Sequence, residues 1–296
     1  IVMMSPTKLI AARDKFGFRP LCYGITADGS YVIASESCAL DSVGARLIRE
    51  IEPGEIVVFS KDGIREIKTH CNKCDKKLCI FEYIYFARPD SDIDGCNVHA
   101  YRKESGRRLF KESPVEADIV VGVPDSSLSA AQGYSEASGL PYEMGLIKNK
   151  YVGRTFIQPS QNLREKGVRM KLSPVRSIVS GKRVVLVDDS IVRGTTSRRI
   201  VNMLREAGAT EVHVRIASPT MTHPCFYGVD TSTLDELMLA NMSVEQACKA
   251  IGADSLAFLS YEATLKSAVG REDMCIACFD GKYPTNIYKR IEDANK

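Results

Sequence analysis

From about residue 78 onward, short apolar runs alternate with longer amphipathic stretches. The runs at 118–123, 184–187 and 211–216, rich in Val and Ile, and the run Ser-Leu-Ala-Phe-Leu at 255–259 read as strands, the second buried on both faces. The stretches 97–109, 126–138, 196–207 and 244–251 read as helices; in the third, Ile200, Met203, Leu204 and Ala207 share one side and Gly208 follows as a stop. Strand–helix alternation of this kind predicts an α/β fold with a parallel sheet flanked by helices. The first seventy residues follow another rhythm. Strands at 21–25 and 31–34 flank Ala27-Asp28-Gly29, and a hairpin at 55–60 and 64–67 turns over Lys61-Asp62-Gly63. Ile1-Val2-Met3-Met4 is strand-like as well, so this part reads as β-rich.

The run Val184-Val185-Leu186-Val187 ends in Asp188 and Asp189, followed by Ser190-Ile191-Val192-Arg193-Gly194-Thr195-Thr196 and a helix. A strand, an acid pair, a hydroxyl-bearing loop and a helix start together predict a sugar-phosphate site at the carboxyl end of a parallel strand. The carboxylates would orient ribose hydroxyls, directly or through magnesium, and residues 191–196 would cradle a phosphate with amides and threonine hydroxyls. No Gly-Lys-Ser/Thr follows a glycine-rich stretch, which excludes a Walker loop. Pro124-Asp125-Ser126-Ser127, at the end of the strand 118–123, would meet a group departing from such a sugar phosphate. Residues 148–171 carry seven Lys/Arg against one acid, Glu165, with few large apolar residues after Ile157. A polar stretch of this length between strands reads as a functional loop.

Composition narrows the class without choosing the chemistry. With 44% apolar and 26% charged residues the chain is an ordinary globular protein, and +3 is too little charge to imply nucleic acid or a membrane surface. No apolar run has bilayer-spanning length and no signal-peptide pattern opens the chain, so a cytoplasmic location is expected. The basic loop has no RNA-binding aromatic signature beside it. Ten cysteines are many for such a protein, and the pairs Cys71/Cys74 and Cys275/Cys278 have CxxC spacing, which by itself leaves a four-thiolate zinc site open. Cys22, Cys38, Cys96 and Cys248 read as small core residues, and neither His99 nor His223 sits in a catalytic arrangement.

The segment 184–196 resembles the phosphoribosyl-pyrophosphate signature of type I phosphoribosyltransferases. Glu82-Tyr83-Ile84-Tyr85-Phe86-Ala87-Arg88-Pro89-Asp90-Ser91, Gly122-Val123-Pro124-Asp125-Ser126-Ser127 and Tyr151-Val152-Gly153-Arg154-Thr155-Phe156-Ile157 narrow the likeness to the amidophosphoribosyltransferase family. Arg13-Asp14-Lys15-Phe16-Gly17-Phe18-Arg19-Pro20-Leu21 and Ala34-Ser35-Glu36-Ser37-Cys38-Ala39-Leu40-Asp41 resemble the later part of that family's N-terminal-nucleophile glutaminase domain. The resemblance implies a type I phosphoribosyltransferase fold over 78–296, preceded over 1–77 by a β-rich, incomplete glutaminase remnant whose exposed sheet edges favour aggregation. It implies formation of 5-phosphoribosylamine from phosphoribosyl pyrophosphate and glutamine-derived ammonia, the first step of purine synthesis. Position 1 is Ile where the family has its cysteine nucleophile, so use of free ammonia alone is expected.

By the same resemblance Tyr151, Arg154 and Lys171 contact substrate, with Lys171 stabilising the leaving group, and Ser126 joins Asp188 and Asp189 at magnesium. Cys79, Cys225, Cys275 and Cys278 match the ligands of the family's 4Fe-4S cluster, leaving Cys71 and Cys74 spare. Purine nucleotides as inhibitors and a homo-oligomer are further expectations. Two other readings remain: a salvage phosphoribosyltransferase, and a nucleotide-sensing regulator that kept the fold without the chemistry.

Overall fold

The computed structural model describes residues 1–149, 172–231, 233–269, 271 and 273–286. The chain forms two compact units, one of Ile1–Tyr101, Cys225–Asp230 and Ala268–Lys296, the other of Arg102–Pro224 and Thr231–Ser267. The boundary expected between 77 and 78 falls inside the first unit. Two later segments return to that unit, and a reading that runs once along the chain does not anticipate them.

In the second unit, strands Ile119–Gly122, Arg183–Asp188, Glu211–Ile216 and Ser255–Phe258 form a parallel sheet in chain order. Ile119 lies beside Val184, Arg183 beside Glu211, and His213 beside Ser255. Alternate side chains serve opposite faces. Val184, Leu186, Val212 and Val214 pack with Ile200, Val201 and Leu204 of helix Thr195–Glu206 and with Ala247 and Ile251 of helix Val244–Ile251. Val185 and Val187 pack with Ala130, Ala131 and Tyr134 of helix Leu128–Ser138. Val184 to Val187 are each at most 1% exposed, which contributes roughly 1.5–3 kcal/mol apiece and fixes the strand that carries the acid pair.

Helix Val98–Glu112 crosses Leu128–Ser138 at van der Waals contact of the backbones. A Cβ on Gly106 would come within 1.8 Å of the Ala130 carbonyl oxygen, and one on Gly133 within 1.8 Å of that of Lys103. Only glycine fits at either position.

The first unit is built on antiparallel pairs. One sheet orders Val2–Met4, Lys8–Ala12, Ile56–Ser60 and Gly63–Ile67; another orders Tyr31–Ala34, Cys22–Ile25 and Arg46–Glu50. Tyr23, Leu21 and Ile51 meet Ala11, Val57 and Phe59 in its core, with the Tyr23 and Phe59 rings edge-on at 5.0 Å. The strand Val2–Met4 is an exposed sheet edge, as the sequence predicts. Strands Lys8–Ala12 and Arg46–Glu50 escape the sequence reading; the second has three exposed residues and no clean alternation.

A buried ionic cluster ties remote parts of this unit. The Asp94 N–H donates to Glu50 Oε1; Lys76 Nζ lies 2.5 Å and Arg271 Nη1 3.3 Å from Asp94 Oδ2, and Arg13 Nη1 lies 3.9 Å from Glu50 Oε2. Burial, then the contact with Asp94, pushes the Glu50 carboxyl up to about 7. Asp94 is held down at about 2: burial opposes this, but hydrogen bonds from Glu50 and Lys76 outweigh it.

Candidate functional site

Strand Arg183–Asp188 stays apolar up to its last residue, so Asp188 and Asp189 emerge from the core only 8% and 7% exposed. Four oxygens are served unequally. Asp188 Oδ1 accepts from the Ser127 hydroxyl at 2.9 Å and from the Asp189 N–H at 2.9 Å. Asp189 Oδ1 accepts from the Ser190 hydroxyl at 2.7 Å, and Asp189 Oδ2 from the hydroxyls of Ser126 and, at 3.4 Å, Ser127. Asp188 Oδ2 accepts nothing among the described residues. Burial raises the Asp188 pKa, and the adjoining Asp189 charge raises it further. Burial also raises Asp189, against the pull of Ser126, Ser190 and the Arg102 guanidinium. Two carboxylates this close do not both ionise readily without a cation.

Beyond the pair the chain turns into helix Thr195–Glu206 through Gly194, whose φ of +71° suits glycine; a Cβ there would also meet Met238 Sδ at 2.3 Å. No side chain caps this helix, and none of the backbone N–H groups of residues 190–197 donates to a protein atom among the described residues. Such a row of amides at a helix start is an anion cradle. Thr195 and Thr196 are exposed beside it. The other loop residues anchor it. Ile191 is 3% exposed in the core, the Val192 carbonyl accepts from the Met238 N–H at 2.8 Å, and Arg193 pairs with Glu236 at 2.8 Å.

At the end of Ile119–Gly122, Asp125 is exposed and ion-paired with Lys148, Pro124 and Ser126 are half-buried, and Ser127 is fully buried. The structure thus joins Ser126, Ser127, Asp188, Asp189 and Ser190. The Ser127 side chain is fully enclosed there, while Ser126 is half-buried. Tyr151, Arg154 and Lys171 lie outside the described residues. Arg102, 4% exposed, escapes the sequence reading. Its signal is position, since it shares the buried stripe Val98, Tyr101, Ser105, Gly106, Leu109 of its helix.

In the first unit the four cysteines expected to act together arrive from three segments. Leu78–Cys79 pairs in parallel with Met274–Cys275, setting Cys79 beside Cys275; Cys278 opens the next turn. Burial pushes Cys79 up to about 12 and Cys275 up to about 11. It raises Cys278 too, with Cys79, Cys225 and Cys275 adding to the shift, so the four sulfurs sense one another. The Tyr227 N–H donates to Cys225 Sγ at 3.3 Å, and the backbone amides of Phe81 and Ala277 partly oppose the rise at Cys79 and Cys275. Arg19 stands close, bonded to Glu82 at 2.6 Å and to the Tyr227 carbonyl at 3.3 Å. Cys71 and Cys74 are partly exposed. Cys22, Cys38 and Cys96 are buried as expected; Cys248 is only half-buried, its thiol donating to the Ala253 carbonyl. Among the described residues no three His, Cys, Asp or Glu side chains are arranged to hold a single metal ion.

Residues 103–219, which contain the acid pair, the amide row and the glycine-packed helix crossing, match the family described as a phosphoribosyl transferase domain. The second unit is therefore a phosphoribosyltransferase fold. Over 97% of its length the chain is also 60% identical to the amidophosphoribosyltransferase of Bacillus subtilis, 52% identical to that of Synechocystis and 53% identical to that of Methanocaldococcus jannaschii. By sequence it is similar to these amidophosphoribosyltransferases over nearly its whole length, and spans 61%, 58% and 64% of the length of the three relatives. The solved glutamine phosphoribosylpyrophosphate amidotransferase of B. subtilis, complexed with ADP and GMP, superimposes with a TM-score of 0.89 at 60% identity, covering 97% of this chain and 64% of that one. A structure described as the allosteric regulatory enzyme of purine biosynthesis agrees equally, at TM-score 0.89 and 60% identity, with 97% and 63% covered.

Proposed function

We propose that the chain carries the transferase centre of an amidophosphoribosyltransferase, joining ammonia to the ribose of phosphoribosyl pyrophosphate to give 5-phosphoribosylamine at the entry to purine synthesis. One observation carries the reading: a buried acid pair is followed directly by a row of amides at a helix start that donates to no protein atom among the described residues. In the reaction the bond from ribose C1 to pyrophosphate oxygen breaks, and the oxygen keeps the electron pair. The ammonia nitrogen bonds to C1 and sheds one proton.

The 5′-phosphate sits on the amides of residues 190–197 with the Thr195 and Thr196 hydroxyls, and Asp188 Oδ2 orients a ribose hydroxyl. Carboxylate charge beside C1 favours the cationic character that develops there. Oxygen donors suit magnesium, and a cation would relieve the repulsion between two buried carboxylates. Asp188, Asp189 and Ser126 would hold the ion, which would neutralise pyrophosphate charge. Pro124 and Asp125 border the leaving group, with Lys148 alongside. Tyr151, Arg154 and Lys171 are assigned to substrate closure by the family pattern alone.

Three buried thiols and the half-buried Cys225, which accepts the Tyr227 N–H, fit a thiolate-held cluster, and a cubane spaces its ligands more widely than a single ion does. Cys79, Cys225, Cys275 and Cys278 would hold a 4Fe-4S cluster, which joins three chain segments; binding must displace protons that burial retains. We assign 1–77 to the later part of a glutaminase domain and 78–296 to the transferase. Purine nucleotides as inhibitors gain support from the relative described with ADP and GMP. A homo-oligomeric, cytoplasmic enzyme completes the proposal.

The test is consumption of phosphoribosyl pyrophosphate with ammonium and magnesium, read by trapping the phosphoribosylamine. Product is expected. Tight nucleotide binding without turnover would favour the regulator instead.

A further inference from the structure

Ser127 heads helix Leu128–Ser138 and is fully enclosed, so no solute reaches its hydroxyl. That hydroxyl has one proton and two carboxylates within range, Asp188 Oδ1 at 2.9 Å and Asp189 Oδ2 at 3.4 Å. The same Asp188 oxygen also takes the Asp189 N–H, which stops the carboxylate from turning about its own bond. Ser126 and Ser190 occupy the remaining sides of Asp189. Of the four oxygens only Asp188 Oδ2 is left without a donor among the described residues. A proton shared between two adjoining carboxylates also weakens their repulsion, and buried acceptors left unmatched are costly.

We propose that Ser127 is a positioning residue, which bridges the two carboxylates and holds Asp188 with Oδ2 presented to the ribose and its cation. It acts through Asp188 and touches no part of the substrate. This rests on the phosphoribosyl reading of the site. Ser126 and Ser127 are adjacent in sequence yet differ in task, because the strand end leaves the first half-exposed and the helix start encloses the second.

A double-mutant cycle on the intact chain separates action through Asp188 from direct contact. The dissociation constant of magnesium–phosphoribosyl pyrophosphate is measured by calorimetry for the wild type, Ser127→Ala, Asp188→Ala and the double variant. Ser127→Ala should weaken binding roughly tenfold, as for a lost buried hydrogen bond to a charged group. The double variant should match Asp188→Ala within about twofold, since the serine then has nothing to position. Ser267→Ala removes another buried hydroxyl, bonded to the Ala263 carbonyl, and should leave binding unchanged whatever it does to the melting temperature. If Ser127→Ala does not fold, Ser127→Cys keeps the volume, weakens the donor and serves in the same cycle. Losses that multiply in the double variant would overturn the proposal, as would wild-type affinity in Ser127→Ala. Wild-type protein that binds no phosphoribosyl pyrophosphate would instead overturn the functional reading beneath it.

Discussion

The two units assemble their chemical groups in opposite ways. In the second, the acid pair, the loop and the helix start are consecutive, and one strand end supplies the direction of every group from 188 to 197. In the first, the sulfurs are contributed at 79, 225, 275 and 278, and the ionic cluster draws on Arg13, Glu50, Lys76, Asp94 and Arg271. A consecutive site is held by the fold and adds little to it. A dispersed site is itself part of what holds the chain in place. Damage to the first kind should therefore appear as lost turnover in a stable protein, and damage to the second as lost structure.

The largest expected effect tests the consecutive site. Asp188→Asn with Asp189→Ala should lower phosphoribosylamine formation on the order of a hundredfold or more, as for losing a preorganised electrostatic group. The melting temperature should hold or rise, because two carboxylates whose ionisation burial opposes are removed. Steady-state rates with ammonium, beside a thermal melt, check both halves. A variant that unfolds would show that the pair is structural, and the contrast between the units would collapse.

The dispersed site predicts the reverse. Anaerobically prepared protein should be brown and contain iron and sulfide. Cys225→Ser should abolish the colour and reduce soluble yield several-fold, whereas Cys71→Ser should change neither, as its thiol is partly exposed and apart from the set. Iron analysis and the visible spectrum decide it. Colourless protein holding one zinc, lost on mutating Cys71 or Cys74, would replace the cluster while leaving the transferase reading untouched.

The same contrast governs what the sequence discloses. The parallel sheet is legible because its strands are buried on both faces and its helices keep their period; strand 211–216 and helix 244–251 fall where the pattern puts them. The acid pair and the amide row are legible because they follow one strand without interruption. The split between Ser126 and Ser127 is not, since it depends on a helix start that encloses one hydroxyl and spares the next. Nor is Arg102 conspicuous, for an arginine in a buried stripe looks like any charged residue until the helix phase is counted. The return of 225–230 and 268–296 to the first unit is equally silent. It depends on pairing between Leu78–Cys79 and Met274–Cys275, two-residue strands too short to leave a period.

The smallest effect sharpens the comparison, because it probes a dispersed tie that needs no metal. Glu50 is raised in the folded protein to about 7, so the folded state keeps a proton that the unfolded state loses in the ordinary carboxylate range near 4.3. Stability from this group is therefore full at low pH, declines as pH rises between those values, and is flat above them. Asp94, held at about 2, has the opposite sign, and its contribution is lost only as pH falls below the ordinary range. Glu50→Gln keeps an oxygen for the Asp94 N–H and removes the titration. The variant should differ least from the wild type at pH 4.5 and melt several degrees higher at pH 8. Melting curves from pH 4.5 to 8.5 give the answer. Parallel profiles for the two proteins would mean that Arg13, Lys76 and Arg271 keep both carboxylates ionised, and the cluster would then be a plain charge network without a shared proton.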